Sequence, residues 1–202
     1  MKSKNFGGIL TTIGLLMIAG AVFLSAYNLW DERRAAAVSG AAMEALLLDL
    51  SREKAEGENT QPDYIVAPEM EMPKTAVGKY DYIGLLDIPA LQVSLPVIDE
   101  WSYPALKAAP CRYAGSAYLD NLVIAAHNYK GHFGKIKSLQ AGQQIFFTDV
   151  DGNQFDYEVV SMEVLKETAV EEMTSGEYDL TLFTCTYAGQ SRVTIRCERI
   201  NN

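Results

Sequence analysis

From Asn5 to Trp30 the chain runs for 26 positions without a charged residue, NFGGILTTIGLLMIAGAVFLSAYNLW. A helix needs about 20 mostly apolar residues to cross the hydrocarbon core of a bilayer. Tyr27 and Trp30 sit at one end of this run, where amphipathic rings favour the membrane–water interface. Residues 1–30 therefore read as a cytoplasmic tip and a transmembrane anchor. A cleaved signal peptide is the competing reading, but the apolar run exceeds the usual h-region and no prompt A-x-A site follows. Residues 31–56, DERRAAAVSGAAMEALLLDLSREKAE, are rich in Ala, Leu, Glu and Arg, all strong helix formers. They predict a helical stalk, with Leu46, Leu47 and Leu50 as a narrow stripe facing either the following domain or a second copy. Residues 57–79 carry prolines and acidic groups without sustained periodicity, the texture of a linker or an N-terminal wrap.

The texture changes at Tyr80, and residues 80–202 read as one β domain. Two short apolar runs, Tyr82–Ile88 and Leu91–Ile98, are divided by Pro89, which belongs at a strand end because it cannot donate to a ladder. A short helix is expected from Tyr103 to Ala108, then a loop, PCRYAGSAYLDN. NLVIAAHN is a buried strand running into a polar end, and GKIKSL a helical turn. QQIFFTDVDGNQFDYEVVSMEVL is a hairpin, because β-branched and aromatic runs flank an Asp-Gly turn. DLTLFTC and RVTIRCERI add two strands. Seven or eight short strands with two small helices predict a closed antiparallel barrel.

Charge then narrows the function. The net charge of −9, without a Lys/Arg stripe, argues against nucleic acid, which needs a basic footprint. Lys2 and Lys4 favour a cytoplasmic N-terminus under the positive-inside rule, although Arg33 and Arg34 lie beyond the far end. Everything after Trp30 is thus expected outside the cytoplasm. There, three cysteines, Cys111, Cys185 and Cys197, leave at least one thiol free or paired with another chain. Nothing in the sequence brings Cys111 and Cys197 together.

Only two histidines are present, His127 and His132. His127 ends a core strand, where a side chain can face a groove or serve structure alone. His132, in KGHFGK, reads as part of an exposed loop anchored by Phe133. H-x4-H without a close Cys pair is a poor zinc site. DVDGNQFD places its glycine fourth and a valine twelfth, unlike a calcium loop, so a hairpin turn explains it better. No metal or cofactor is expected. Cys185 can be buried filler, since free cysteine is among the most buried residue types. It can equally be a nucleophile, given a proton-exchanging neighbour and a group to stabilise the oxyanion. His127 could exchange the proton. Arg192, seven positions on across the AGQS loop, could share a groove with Cys185 if the two strands are neighbours. Arg196 lies on the same strand face but roughly 13 Å further along.

TLFTCTYAGQSR resembles the TLxTC…R signature of sortases, the membrane-anchored cysteine transpeptidases of Gram-positive bacteria. NLVIAAHN is similar to their histidine strand, and YIGLLDIPALQVSLPV to their opening strands. The resemblance runs from about Tyr82 to Ile200 in the family's order. It implies a closed eight-stranded antiparallel or mixed sortase-type β-barrel with short helices, preceded by one transmembrane helix. His127, Cys185 and Arg192 match the family's catalytic positions, and Thr184 matches the threonine just before the family's cysteine, which implies a substrate-binding residue that shapes the groove.

The implied reaction is attack by Cys185 on an LPxTG-like sorting signal at a surface protein's C-terminus, giving a thioacyl intermediate. An amine of a peptidoglycan precursor, or a pilin lysine, would resolve it. Val164–Tyr178 corresponds to the connection that recognises the signal's Leu-Pro part in relatives, and its polar sequence looks partly mobile. The class C Asp-Pro-aromatic lid motif and a C-terminal apolar helix are missing, so class B or class D is expected, with B favoured. A pilus-polymerising enzyme is the first alternative. The second is a catalytically inactive, membrane-tethered barrel that only binds surface proteins.

Overall fold

The computed structural model describes residues 4–56, 61–186 and 189–200. Lys2 of the orientation signal, the start of the expected linker and part of the AGQS loop lie outside the described residues. The chain forms two compact units, Met1–Arg34 and Ala35–Asn202. Helix α1, Lys4–Glu56, runs through both, because neither proline nor a sustained charge cluster interrupts its good helix formers.

In the first unit the apolar side chains, Leu10, Leu16, Met17 and Phe23 among them, face outward. Tyr27 lies 6.0 Å from the Trp30 ring, and Arg34 sits over Trp30 while pairing with Asp31 at 2.8 Å. By length and composition this helix is a candidate membrane span, since residues 7–30 at 1.5 Å each cover about 36 Å.

In the second unit α1 presents a different face. Ala35, Ala42, Leu46 and Leu50 are buried, and the last three pack with Tyr82, Leu85 and Val150. Leu46 and Leu50 therefore dock on the domain. Leu47 does not join them and stays half exposed, because one helical step turns it about 100° off the stripe. After residue 60, a short helix α2 (Asp63–Val66) brings Tyr64 to stack on Tyr118 at 4.6 Å.

Strand β1 (Thr75–Val77) is a three-residue addition to β2 (Tyr80–Ile88). The barrel proper continues through β3 (Val93–Ile98), β4 (Cys111–Ala114), β5 (Leu122–Ala126), β6 (Gln144–Asp149), β7 (Gln154–Lys166), β8 (Leu180–Cys185) and β9 (Ser191–Arg199). Its order is β2-β3-β4-β5-β8-β9-β7-β6, and β6 returns to β2 to close eight strands. The closure runs through Gly84, which pairs with Asp149. A Cβ there would fall onto the Thr148 carbonyl oxygen and within 2.8 Å of the Asp149 Cα, so only glycine lets the two strands meet.

The expected eight-stranded closed barrel is present, and it is mixed. The β3–β4 and β5–β8 pairs are parallel, and the rest are antiparallel. The antiparallel barrel read from patterning alone is corrected on this point, because hydrophobic alternation carries no strand direction. Strand β4 also falls where a loop was expected. Its residues lack clean alternation, and its extended form comes from pairing with β5. The helix expected over Tyr103–Ala108 is one turn, α3 (Tyr103–Leu106), capped by Ser102, whose Oγ accepts from Ala105 N at 3.2 Å. In the β6–β7 hairpin, Gly152 takes φ +84° and Asp149 accepts from Asn153 N at 2.8 Å, a turn held by its own side chain.

Two apolar clusters hold the unit together. Ile83, Leu86, Ile124, Phe133, Phe147 and Phe155 belong to the one that fills the barrel. The other joins α1 and α3 to Leu85, Val123, Ala125 and Phe183. Cys197 belongs to the first and Cys111 to the second. Both thiols are free and fully buried, and burial pushes the Cys111 thiol up to about 12 and the Cys197 thiol higher still.

Candidate active site

The parallel pair β5–β8 and the antiparallel pair β8–β9 bring three distant residues to one end of the barrel. Five rungs, from Leu122↔Leu180 to Ala126↔Thr184, lock β5 beside β8. The next residues along the chain are His127, just past the end of β5, and Cys185, the last of β8. On the other side of β8, Cys185 is the direct cross-strand partner of Arg192. Directly opposed residues share a face, with Cβ atoms about 5 Å apart. Arg196 instead opposes Thr181, one four-residue step down the strand, as the spacing predicts.

His127, Cys185 and Arg192 line one groove with a cavity volume of about 200 Å³. Its aromatic wall combines Trp101, Tyr103, Tyr113 and Phe183. Trp101 meets Tyr113 edge-on at 5.8 Å, and Tyr113 meets Phe183 at 5.2 Å. Facing it, Leu106, Val170 and Met173 supply aliphatic surface, with Lys166 and Glu167 nearby. The aromatic wall was not read from the sequence. Its members come from β4, β8 and the β3–β4 connection, and no local spacing links them.

Each of the three residues is held locally. His127 directly follows β5, and its carbonyl accepts from Phe133 N at 3.1 Å. The following loop folds back tightly, with His132 N and Gly134 N both donating to Tyr129 O at 3.0 and 2.9 Å. A Cβ on Gly134 would lie 2.7 Å from the Asn128 and Tyr129 carbonyl oxygens, so the return is glycine-dependent. The Tyr129 ring lies 4.9 Å from the His127 ring and 5.4 Å from that of His132.

His132 corrects an expectation. It is 2% exposed rather than at a loop surface, and neither ring nitrogen has a hydrogen-bond partner among the described residues. Burial, and secondarily the nearby His127 charge, lower its pKa to about 4. Phe133 beside it is fully buried, as expected of the loop's anchor.

Arg192 follows the tight loop after β8. Thr186 N donates to Ser191 O at 3.0 Å, and Gly189 takes φ +72° to accept the turn. The Arg192 Nη1 donates to Gly189 O at 2.8 Å and Ser191 O at 3.2 Å, which ties the guanidinium to the loop beside Cys185. Thr184 is placed differently from a substrate contact. It is 4% exposed, and its hydroxyl donates to Ala126 O at 2.7 Å. It clips β8 to β5 behind the groove instead of lining it.

Arg196, the rival arginine, is 3% exposed and does not line the groove. The geometry therefore offers Arg192 as the cation opposite Cys185. A thiol, an imidazole and a guanidinium around one apolar-walled groove can form a thioester with an acyl group and stabilise the oxyanion on the way.

The model of the sortase domain matches residues 86–200. Among solved structures, the Clostridium perfringens sortase D5 transpeptidase is similar at 21% identity and TM-score 0.57, covering 76% of this chain and 96% of its own. Sortase C of Streptococcus pneumoniae is similar at 21% identity and TM-score 0.55, covering 78% and 89%. A third, Clostridium perfringens sortase C with the C-terminal cell wall sorting motif, matches at 21% and 0.54, covering 90% and 100%. No curated protein sequence matches this chain.

Proposed function

The chain belongs to the sortase family of cysteine transpeptidases, and on that footing we propose that Cys185 is its nucleophile, His127 its proton exchanger and Arg192 its oxyanion-side cation. The observation that carries this division of labour is the shared register of β5, β8 and β9, which sets all three on one groove.

The Cys185 thiolate attacks the Thr–Gly carbonyl carbon of an LPxTG-like signal. The carbonyl electron pair moves onto oxygen, where Arg192 faces it. As the tetrahedral adduct collapses, the C–N bond breaks and His127 protonates the departing amine. A thioester remains on Cys185. A second amine attacks it, His127 takes the proton, and the thiolate leaves as the new amide forms. His127 is the histidine that lines the groove, whereas His132 lies behind it and stays neutral. The aromatic and aliphatic walls suit the apolar part of the signal. The acceptor is an amine at the cell wall, with the N-terminus of α1 cytoplasmic and the barrel outside.

The test uses the full chain in non-ionic detergent, a sorting-signal peptide and a panel of amines, with products read by mass spectrometry. The wild type should yield ligated product. Cys185→Ala and His127→Ala should be inactive, and Arg192→Ala should lose about 100-fold or more in kcat/KM. A methanethiosulfonate reagent should modify Cys185 while sparing the buried Cys111 and Cys197. Full cleavage by Cys185→Ala would overturn the assignment.

A further inference from the structure

The β7–β8 connection supplies the aliphatic wall of the groove through Val170 and Met173, yet it has little apolar hold of its own. Among residues 167–179 only Met173 is buried. Its helix α4 (Val170–Met173) is a single turn without a side-chain cap at its N-terminus, and one turn is far too short to be stable alone. Gly176, at φ +73°, adds a further turn.

Beside two other side-chain ties, Thr194 Oγ1 to Met173 Sδ at 3.9 Å and Arg199 N to Asp179 Oδ2 at 2.6 Å, the segment is held at α4 by Arg196. Its Nη2 donates to Glu172 O at 2.8 Å, and its Nη1 to Met173 O at 3.4 Å, so it caps the carbonyl end of α4. Nη1 also donates to Thr181 Oγ1 at 3.0 Å, and Nε to Glu163 Oε1 at 2.6 Å. The Tyr178 ring stacks 5.1 Å from the guanidinium carbon. One rigid fork thereby joins β7, α4, the end of the connection and β8. The guanidinium is buried while Glu163 is 41% exposed, and a buried charge is a poor device for stability alone, since apolar residues of similar volume often serve as well.

We propose that Arg196 is a positioning residue for substrate selection: it fixes α4 at the height where Val170 and Met173 meet the apolar part of the sorting signal. This rests on the transpeptidase reading above. Arg196 touches neither the groove nor Cys185, so it acts on recognition and not on bond making. On this proposal the connection acts as a fastened wall, although its polar composition reads as partly mobile.

The experiment compares wild type, Arg196→Met, Arg196→Lys and Glu163→Gln as full chains in non-ionic detergent. Arg196→Met keeps apolar volume and removes the fork. Its KM for the sorting-signal peptide should rise at least about tenfold, as expected for lost charge-assisted bonds. Its kcat and its Cys185 labelling rate should stay within about threefold. Arg196→Lys, a single point donor, should fall between them. Glu163→Gln keeps an acceptor for Nε and should stay close to wild type; if Arg196→Met fails to fold, Arg196→Lys carries the test through a raised KM at unchanged kcat.

Hydrogen exchange supplies a readout independent of activity. Protection of amides in residues 167–178 should drop in Arg196→Met while those of β8 and β9 hold. Unchanged protection, or a fall in kcat at constant KM, would overturn the proposal. A wild type that cleaves no sorting peptide, with protection lost as described, would instead overturn the transpeptidase reading alone. A merely structural role would lower the fraction of labelled, folded enzyme without moving KM.

Discussion

Replacing His132 with phenylalanine should flatten the acid side of the barrel's stability profile by a calculable amount. In the folded protein the imidazole is 2% exposed, and both ring nitrogens lack hydrogen-bond partners among the described residues. Burial first, and the His127 charge second, lower its pKa from 6.5 to about 4. The sign follows from which state binds the proton first. As pH falls through about 6.5 the unfolded chain protonates His132 while the folded chain does not, so folding loses stability. The loss grows until pH passes about 4 and then levels. It amounts to roughly 2 kcal/mol at pH 5 and roughly 3 kcal/mol below pH 4.

Phenylalanine takes up no proton, and it removes two unpaired buried nitrogens. The variant should therefore be at least as stable as wild type at pH 7.5 and should gain about 2 kcal/mol on it by pH 5. Carboxylates shared by both proteins cancel in the difference. Equilibrium urea unfolding in non-ionic detergent, followed by Trp101 fluorescence in a Trp30→Phe background, measures it. A difference that stays constant between pH 7.5 and pH 5 would refute the reasoning, because His132 would then titrate equally in both states.

Two further substitutions probe the frame of the site. Thr184→Val deletes the hydroxyl that donates to Ala126 O; it should cost about 1–3 kcal/mol of stability and reduce kcat, because that rung aligns His127 with Cys185. Urea midpoints and single-turnover acylation rates would show it, and unchanged acylation would count against the alignment role. Gly84→Ala places a Cβ against the Thr148 carbonyl and the Asp149 Cα, so the β2–β6 closure should open and the melting temperature should fall by about 10 °C or more. A variant melting with the wild type would show that the closure yields at little cost.

Much of this frame follows from local pattern. Leu122–Ala126 reads as a buried strand from its unbroken apolar run, and the Asp-Gly turn marks the β6–β7 hairpin because glycine alone takes its positive φ without strain. The choice of Arg192 over Arg196 also follows locally. Once two strands flank a short loop, the residue that closes β8 pairs with Arg192, and Arg196 falls four positions further along, opposite Thr181. Strand β4 did not show itself, because its four residues have no period of their own and take extended form only beside β5.

Local pattern reaches as far as the apolar N-terminal helix, most of the strands, and the short list of a thiol, an imidazole and a guanidinium able to do acyl chemistry. Tertiary structure decided which of them meet and what stands around them. His127 and Cys185 become neighbours through a parallel pairing between segments 58 residues apart, and direction of pairing leaves no trace in hydrophobic alternation. His132, flanked by glycines and lysines, turns inward because the chain folds back onto the Tyr129 carbonyl. Arg196 becomes a brace because a polar connection, with one buried side chain of its own, needs carbonyl-directed donors from a strand it meets only in three dimensions. Burial and hydrogen-bond satisfaction are properties of the assembled surface, so no local spacing could announce them.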